Sequence, residues 1–232
     1  MLSKVDYNNY KFGTDQIKEY YKNNKNIIKI QDNLIDSLLV QTKENIHIFN
    51  YKNNKKYFYD KIQIEFNNHK IVKQIDSFDQ NNILIANKLR KYVLSLCKDT
   101  YNITLGIGGE YYLYFLFIKS HKYVGISNHQ SIINDANYNI PYCINYLVDY
   151  NKYDQLPVID SVDVILVNLF NININVINYI NTIKFNKLII ISCNLPDNRF
   201  LLIQKYFKIK SIKTFSNLNG FIKVFQLVRK IM

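Results

Sequence analysis

Cys193 closes the run LIIISCNLPD, at the carboxyl end of a strongly apolar, strand-like segment. In a parallel sheet that end is where ligands and reacting groups collect. A thiolate there can add to an electrophilic carbon, C6 of a pyrimidine for example, and so activate C5 for methyl transfer. Such chemistry requires an accessible thiol, an electropositive setting and a base for the C5 proton. Lys187 and Arg199 lie near it in sequence. The plainer reading is a buried structural thiol, because cysteine is among the most buried residue types. Cys97, in a helical pattern, and Cys143, beside a turn, read as structural. No pair of Cys or His residues has ligand spacing, so no metal site is expected. His47, His69, His121 and His129 read as surface or satisfied residues.

The second chemical feature is LGIGGE, where Gly106, Gly108 and Gly109 are three of only six glycines in the chain. Glycine permits positive φ and lets a ligand approach the backbone where a Cβ would obstruct it. After a strand and before a helix, such a turn holds the amino-acid part of S-adenosylmethionine or the ribose edge of a nucleotide. It also serves as a tight turn needed only for packing. A nucleoside-binding sheet places an acid at the end of its second strand for the ribose hydroxyls. Here KYVGIS ends in Ser127 and Asn128, which offer neutral hydrogen bonds and not charge-assisted ones.

These residues need a frame, and the chain supplies two grammars. Residues 1–35 are polar and tyrosine-rich, with a short helix expected over Asp15 to Tyr21. From Leu34 to Ile75, LLVQ, NIHIFNY, KKYFYDKIQIEF and HKIVKQI read as antiparallel strands, with turns at Asn53-Asn54 and Asn67-Asn68. A small β-rich module over residues 1–76 is therefore expected, followed by an α/β domain over residues 77–232. In the latter, Ile83, Ala86, Leu89, Tyr92, Val93 and Leu96 make a helical stripe within Asn82 to Lys98. YNITLGIGG reads as a strand, Tyr111 to Ile118 as a buried helix, KYVGIS as a strand and Ser131 to Asn139 as a helix. CINYLVDY, VDVILVNLF and KLIIISCN follow as strands. Near-continuous apolar strands alternating with helices mark a mostly parallel sheet buried on both faces. Ile209 to Thr214 and Phe221 to Val228, around Asn219-Gly220, read as a closing antiparallel hairpin. This order of elements resembles the Rossmann-like layout of class I S-adenosylmethionine methyltransferases.

Composition narrows the class. Hydrophobic residues are 48% and aromatic residues 15%, while 30 Lys and Arg against 18 Asp and Glu give a net charge of +12. Disordered tails, collagen and disulfide-stapled scaffolds are excluded. No apolar stretch reaches the roughly 18 residues of a membrane span, and the amino-terminal residues lack the apolar core of a signal peptide. A soluble protein of the cytoplasm or another intracellular compartment is expected. The charge is uneven: after Asp197 there is no acid but eight Lys or Arg, including Arg199, Lys205, Lys208, Lys210 and Lys213. Those five are the candidate RNA contacts; the alternative is a solvated sheet edge that discourages aggregation. A second cluster, Lys52, Lys55 and Lys56, flanks Tyr51, Tyr57, Phe58 and Tyr59, whose rings would stack on unpaired bases if exposed.

Four stretches together resemble the RNA uracil-5-methyltransferase family. SFDQNN looks like its F-x-Q-x-N element, ITLGIGGEYYL takes the place of its glycine-rich first motif, VDVILVNLF that of its D-P-P-R strand end, and IIISCN matches its catalytic-cysteine motif. The resemblance covers about residues 35–230. It implies Cys193 as nucleophile toward uracil C6, Gln80 near the cofactor or target base, and Gly106, Gly108 and Gly109 lining an S-adenosylmethionine pocket. It also marks losses. Thr104 stands for an acid of the first motif, Ser127 for the ribose-binding acid and Asn168 for the D-P-P-R aspartate. Ile222, with Lys223 beside it, replaces the glutamate general base. Each lost charge-assisted contact costs about 2–4 kcal/mol of transition-state binding.

Two functions follow as expectations. One is a degenerate methyltransferase-like protein that binds RNA, or a protein partner, without a cofactor. The other is an active RNA (uracil-C5) methyltransferase using S-adenosylmethionine and Cys193, with a carboxylate from elsewhere, Asp197 or Glu110, near the target base.

Overall fold

A computed structural model describes residues 27–32, 38–42, 46–49, 56–58, 61–74, 77, 83–193, 195–217 and 220–230. The expected helix at Asp15 to Tyr21, the turn at Asn53-Asn54 and, apart from Ser77, the SFDQNN element with Gln80 lie outside these residues. Strands β1 (Ile27–Asp32), β2 (Leu38–Thr42) and β3 (Ile46–Phe49) form one antiparallel sheet. A second contains β4 (Lys56–Phe58), β5 (Lys61–Phe66) and β6 (His69–Gln74). β1 falls in the segment read as polar, and KKYFYDKIQIEF divides after Phe58 into two strands of a hairpin. Asn67 and Asn68 turn the β5–β6 hairpin with φ of 49° and 63°. Asparagine tolerates this left-handed pair, which matches the twist of the flanking strands.

The remaining strands make one sheet. Helix α1 (Ile83–Ser95) leads into β7 (Tyr101–Gly108), α2 (Tyr111–Phe115), β8 (Ser120–Ser127), α3 (Gln130–Asn139) and β9 (Ile144–Leu147). After a short 3-10 turn at Tyr153–Gln155 come β10 (Ser161–Asn168), α4 (Ile174–Thr182), β11 (Lys184–Ser192), α5 (Asp197–Tyr206), β12 (Phe207–Asn217) and β13 (Gly220–Arg229). The order is β12-β13-β11-β10-β7-β8-β9; β7 to β11 are mutually parallel, and β13 and β12 close the sheet antiparallel. The expected α/β architecture and closing hairpin are thus present.

Helices α4 and α5 were not legible in the pattern. NINVINYINT is rich in asparagine, a poor helix former, yet Asn173 caps α4 by accepting from Asn175 N–H at 2.8 Å. Val176, Ile177 and Ile180 pack on the sheet. The parallel strands bury both faces for the reason their sequences give. Val164, Leu166, Ile189 and Ile191 face a cluster under α1 to α3, while Ile165, Val167, Leu188 and Ile190 face one under α4 and α5. Each such side chain contributes about 1.5–3 kcal/mol on burial. No helix among the described residues is long and apolar enough to cross a membrane.

The β5–β6 hairpin is fastened to α3. Ile64, Phe66 and Ile71 join the cluster under α1 to α3. The Asn139 side-chain amide accepts from Val72 N–H (3.1 Å) and donates to Val72 O (2.6 Å), standing in for a neighbouring strand. Asp135 accepts from Gln74 N–H at 2.6 Å and from the Tyr112 hydroxyl at 3.2 Å. Burial raises the Asp135 pKa to about 6, with Ser77, Gln74 N–H, Lys73 and Tyr112 opposing the shift. A carboxyl raised above its unfolded value of about 3.9 contributes stability below that value and loses it as pH rises through about 6. The stability difference between wild type and Asp135→Asn is therefore expected to change by about 2–3 kcal/mol between pH 4 and pH 7. Urea midpoints across that range measure it, and a pH-independent difference would remove Asp135 as the titrating group.

Candidate functional site

Strand order reverses between β7 and β10, so the carboxyl ends of these strands form the switch point where an open α/β sheet offers a crevice. Gly108 ends β7, Asn168 ends β10, and the two are paired in register. Gly109 N–H then donates to Asn168 O at 2.8 Å, drawing the turn against β10. Gly108 has φ 100°, and a Cβ there would lie 2.2 Å from Asn168 O. At Gly106 a Cβ would lie 2.4 Å from the Tyr111 Cβ. Two of the three glycines are thus required by packing alone. Thr104 and Asn168 are buried, and Thr104 Oγ1 and Asn168 Nδ2 make no hydrogen bond among the described residues.

The space beside this turn is taken by Tyr150, which follows β9 and is buried. Its hydroxyl donates to Ile126 O at 3.1 Å. The Ser127 hydroxyl and the Asn128 and Gly108 amides also face the phenol oxygen; burial pushes its pKa up, and these three groups oppose the shift. Ser127, at the end of β8, therefore serves Tyr150, while its Oγ also accepts from His129 N–H at 3.2 Å. Nothing in CINYLVDY marks Tyr150 in advance, because the contact joins the ends of three elements distant in sequence.

On the other side of the turn, Glu110 caps α2 with φ 57° and is ion-paired to Arg90 of α1 at 2.6 Å, each side chain 1% exposed. A signal for Arg90 existed. It falls with Ala86, Val93 and Cys97 on one buried stripe of the α1 region, a position where a charge needs a partner. Tyr114 lies against this pair; burial raises its phenol pKa first and Glu110 next, with Cys193 also nearby. Cys193 directly follows β11, is half-buried and packs on the cluster under α1 to α3. Lys187 does not serve it. The Lys187 ammonium donates to Leu96 O (2.7 Å), the Tyr101 hydroxyl (3.1 Å) and Asp99 (3.3 Å), toward the amino ends of the strands. Register instead places Lys223 opposite Ser192, next to the cysteine. Ile222 is buried on β13. Asp197 is exposed in the first turn of α5. Burial raises the Cys97 and Cys143 thiols to about 11 and about 12, fitting structural roles.

The basic residues wrap an edge. Arg199 and Lys205 belong to α5, and Lys208, Lys210 and Lys213 to the edge strand β12. A bulge between Ile209 and Ser211 shifts the alternation, so Phe207 and Ile209 face the α4–α5 cluster whereas Phe215 faces the other. Lys205, Lys208, Lys210 and Lys213 are exposed, and Arg199 is half-buried. Arg229 is held by Asn181 O (2.5 Å) and Ile183 O (2.7 Å), at the end of α4.

No protein-family model matches the chain, and no curated protein matches its sequence. Solved structures do. A tRNA (uracil-54, C5)-methyltransferase of Pyrococcus abyssi, in complex with S-adenosyl-L-homocysteine, superposes with a TM-score of 0.58 and 13% identity, over 92% of this chain and 66% of that one. The N-methyltransferase NodS of Bradyrhizobium japonicum WM9, also with S-adenosyl-L-homocysteine, gives 0.52 and 10% over 62% and 87%. A ribosomal protein L11 methylase of Lactobacillus delbrueckii subsp. bulgaricus gives 0.53 and 10% over 68% and 84%. The chain thus spans about two thirds of the Pyrococcus enzyme's length. The fold is that of the class I S-adenosylmethionine methyltransferases, on a divergent sequence.

Proposed function

We propose that this chain is a degenerate relative of the RNA uracil-5-methyltransferases that works without turnover, binding RNA through its basic carboxyl-terminal segment. The observation that carries this reading is the Tyr150 phenol. Its hydroxyl is bonded to Ile126 O and lies beside Ser127 and Gly108, the groups that would face the nucleoside of a cofactor. As arranged, these residues do not fit S-adenosylmethionine: a neutral serine replaces the ribose acid and is already engaged. Ile222, at the position of the general base, is buried and cannot accept a proton. Residues 1–76 are taken as the β-rich module and 77–232 as the methyltransferase-like domain.

Calorimetric titration with S-adenosylmethionine is expected to give no binding. Affinity for tRNA is expected to fall about 10–100-fold between low and moderate salt as phosphate contacts release counterions. Tight cofactor binding would overturn the non-catalytic reading, and absent or salt-insensitive RNA binding would remove the RNA role.

One observation favours the active reading: Cys193 is only half-buried. If that reading holds, Cys193 Sγ adds to uracil C6, and RNA carrying 5-fluorouridine is captured covalently by wild type but not by Cys193→Ala. No capture by wild type retires it.

A further inference from the structure

The two edges of the central sheet are built differently. β12 carries exposed Lys208, Lys210 and Lys213 and a bulge, the devices that stop an edge strand from pairing with another chain. β9 has neither. Its residues, Ile144, Asn145, Tyr146 and Leu147, carry no charge, and among the described residues β9 is paired on one side only, with β8. Tyr142, Ile144, Tyr146, Leu147 and Tyr153 at this edge are 39–69% exposed. With about 200 Å² for a whole tyrosine side chain and somewhat less for an aliphatic one, they present about 450 Å². A standard interface takes about 800 Å² per partner, a little over half of it non-polar. The patch is the right size for the apolar part of one.

Charge selects the occupant. Residues 138–160 contain Lys152 against Asp149, Asp154 and Asp160, a net charge of −2 in a chain of +12, so the remainder carries +14. RNA phosphates are not attracted to such a rim. Two copies of this chain, in contrast, meet here where the self-repulsion of a basic protein is least. We propose that the protein forms a homodimer through β9. Two copies related by a two-fold axis set their β9 strands antiparallel, edge to edge, and join the two seven-stranded sheets into one.

Sedimentation velocity at micromolar concentrations is expected to give a dimer that tightens as salt rises, because salt screens the repulsion between the two basic remainders. Leu147→Lys and Tyr142→Lys, both at exposed side chains, are each expected to weaken association by about tenfold or more, because a hydrated lysine on an edge must lose its water when the two edges meet. Lys208→Leu, on the opposite edge, is expected to leave it unchanged. Circular dichroism confirms that each variant is folded. A monomer at every concentration and salt overturns the proposal, including one that assembles only when RNA is added. So do folded Leu147→Lys and Tyr142→Lys proteins that dimerise like wild type.

Discussion

Glu110→Gln is expected to destabilise the protein by about 3–5 kcal/mol, the cost of removing one member of a buried ion pair. The pair is 2.6 Å apart with both side chains 1% exposed, so water cannot solvate Arg90 once the carboxylate is neutralised. In a domain of this size the change lowers the melting temperature by about 10–15 °C. Replacing both partners with apolar residues of similar volume, Arg90→Met with Glu110→Leu, is expected to recover most of the loss, because two desolvation penalties vanish together. Glu110 adds a backbone test through its φ of 57°. Glu110→Gly relieves a left-handed strain worth about 1 kcal/mol, so it is expected to be milder than Glu110→Ala. Urea denaturation of the four variants checks the set. A loss below about 1 kcal/mol in Glu110→Gln contradicts a buried, mutually dependent pair.

Tyr150→Ala carries the second large effect. Removing a buried aromatic side chain leaves a cavity and is expected to cost about 3–5 kcal/mol. Tyr150→Phe keeps the ring and removes only the hydroxyl. Ile126 O then loses its donor, and the Ser127 hydroxyl and the Asn128 and Gly108 amides lose the oxygen they face, at a cost of about 1–3 kcal/mol. This graded pair separates a plug that holds the carboxyl ends together from a side chain that merely lies near them. If both variants match wild type in chemical denaturation, Tyr150 is not a structural part of the site. A gain of S-adenosylmethionine binding in Tyr150→Ala, measured by calorimetry, would show the phenol to be what excludes the cofactor. Continued absence of binding would assign the exclusion to Ser127 and the closed glycine turn.

The candidate site was legible to different depths at its different residues. The glycine turn was visible because three of six glycines fall together, yet its cause was not. Gly108 is needed against Asn168 O and Gly106 against Tyr111, contacts that only exist once β7, β10 and α2 are packed. Cys193 was placed correctly at the end of a parallel strand because an unbroken apolar run reveals a strand buried on both faces. Its neighbours were not, since Lys187 is close along the chain but points to the opposite end of β11. Helix α4 was hidden because asparagine is a poor helix former, and the tertiary burial of Val176, Ile177 and Ile180 overrides that preference.

By itself the sequence determined the α/β sheet with its closing hairpin, the uneven basic charge and the neutral side chains at Ser127, Asn168 and Ile222. These are local properties, carried by periodicity and residue type. What only the tertiary structure decided is which groups come to lie beside those side chains. Tyr150, in the segment after β9, reaches Ile126 O at the end of β8, and Glu110 finds Arg90 twenty residues away on another helix. Such partnerships depend on which chain ends the fold brings together, and no periodicity along the chain encodes them.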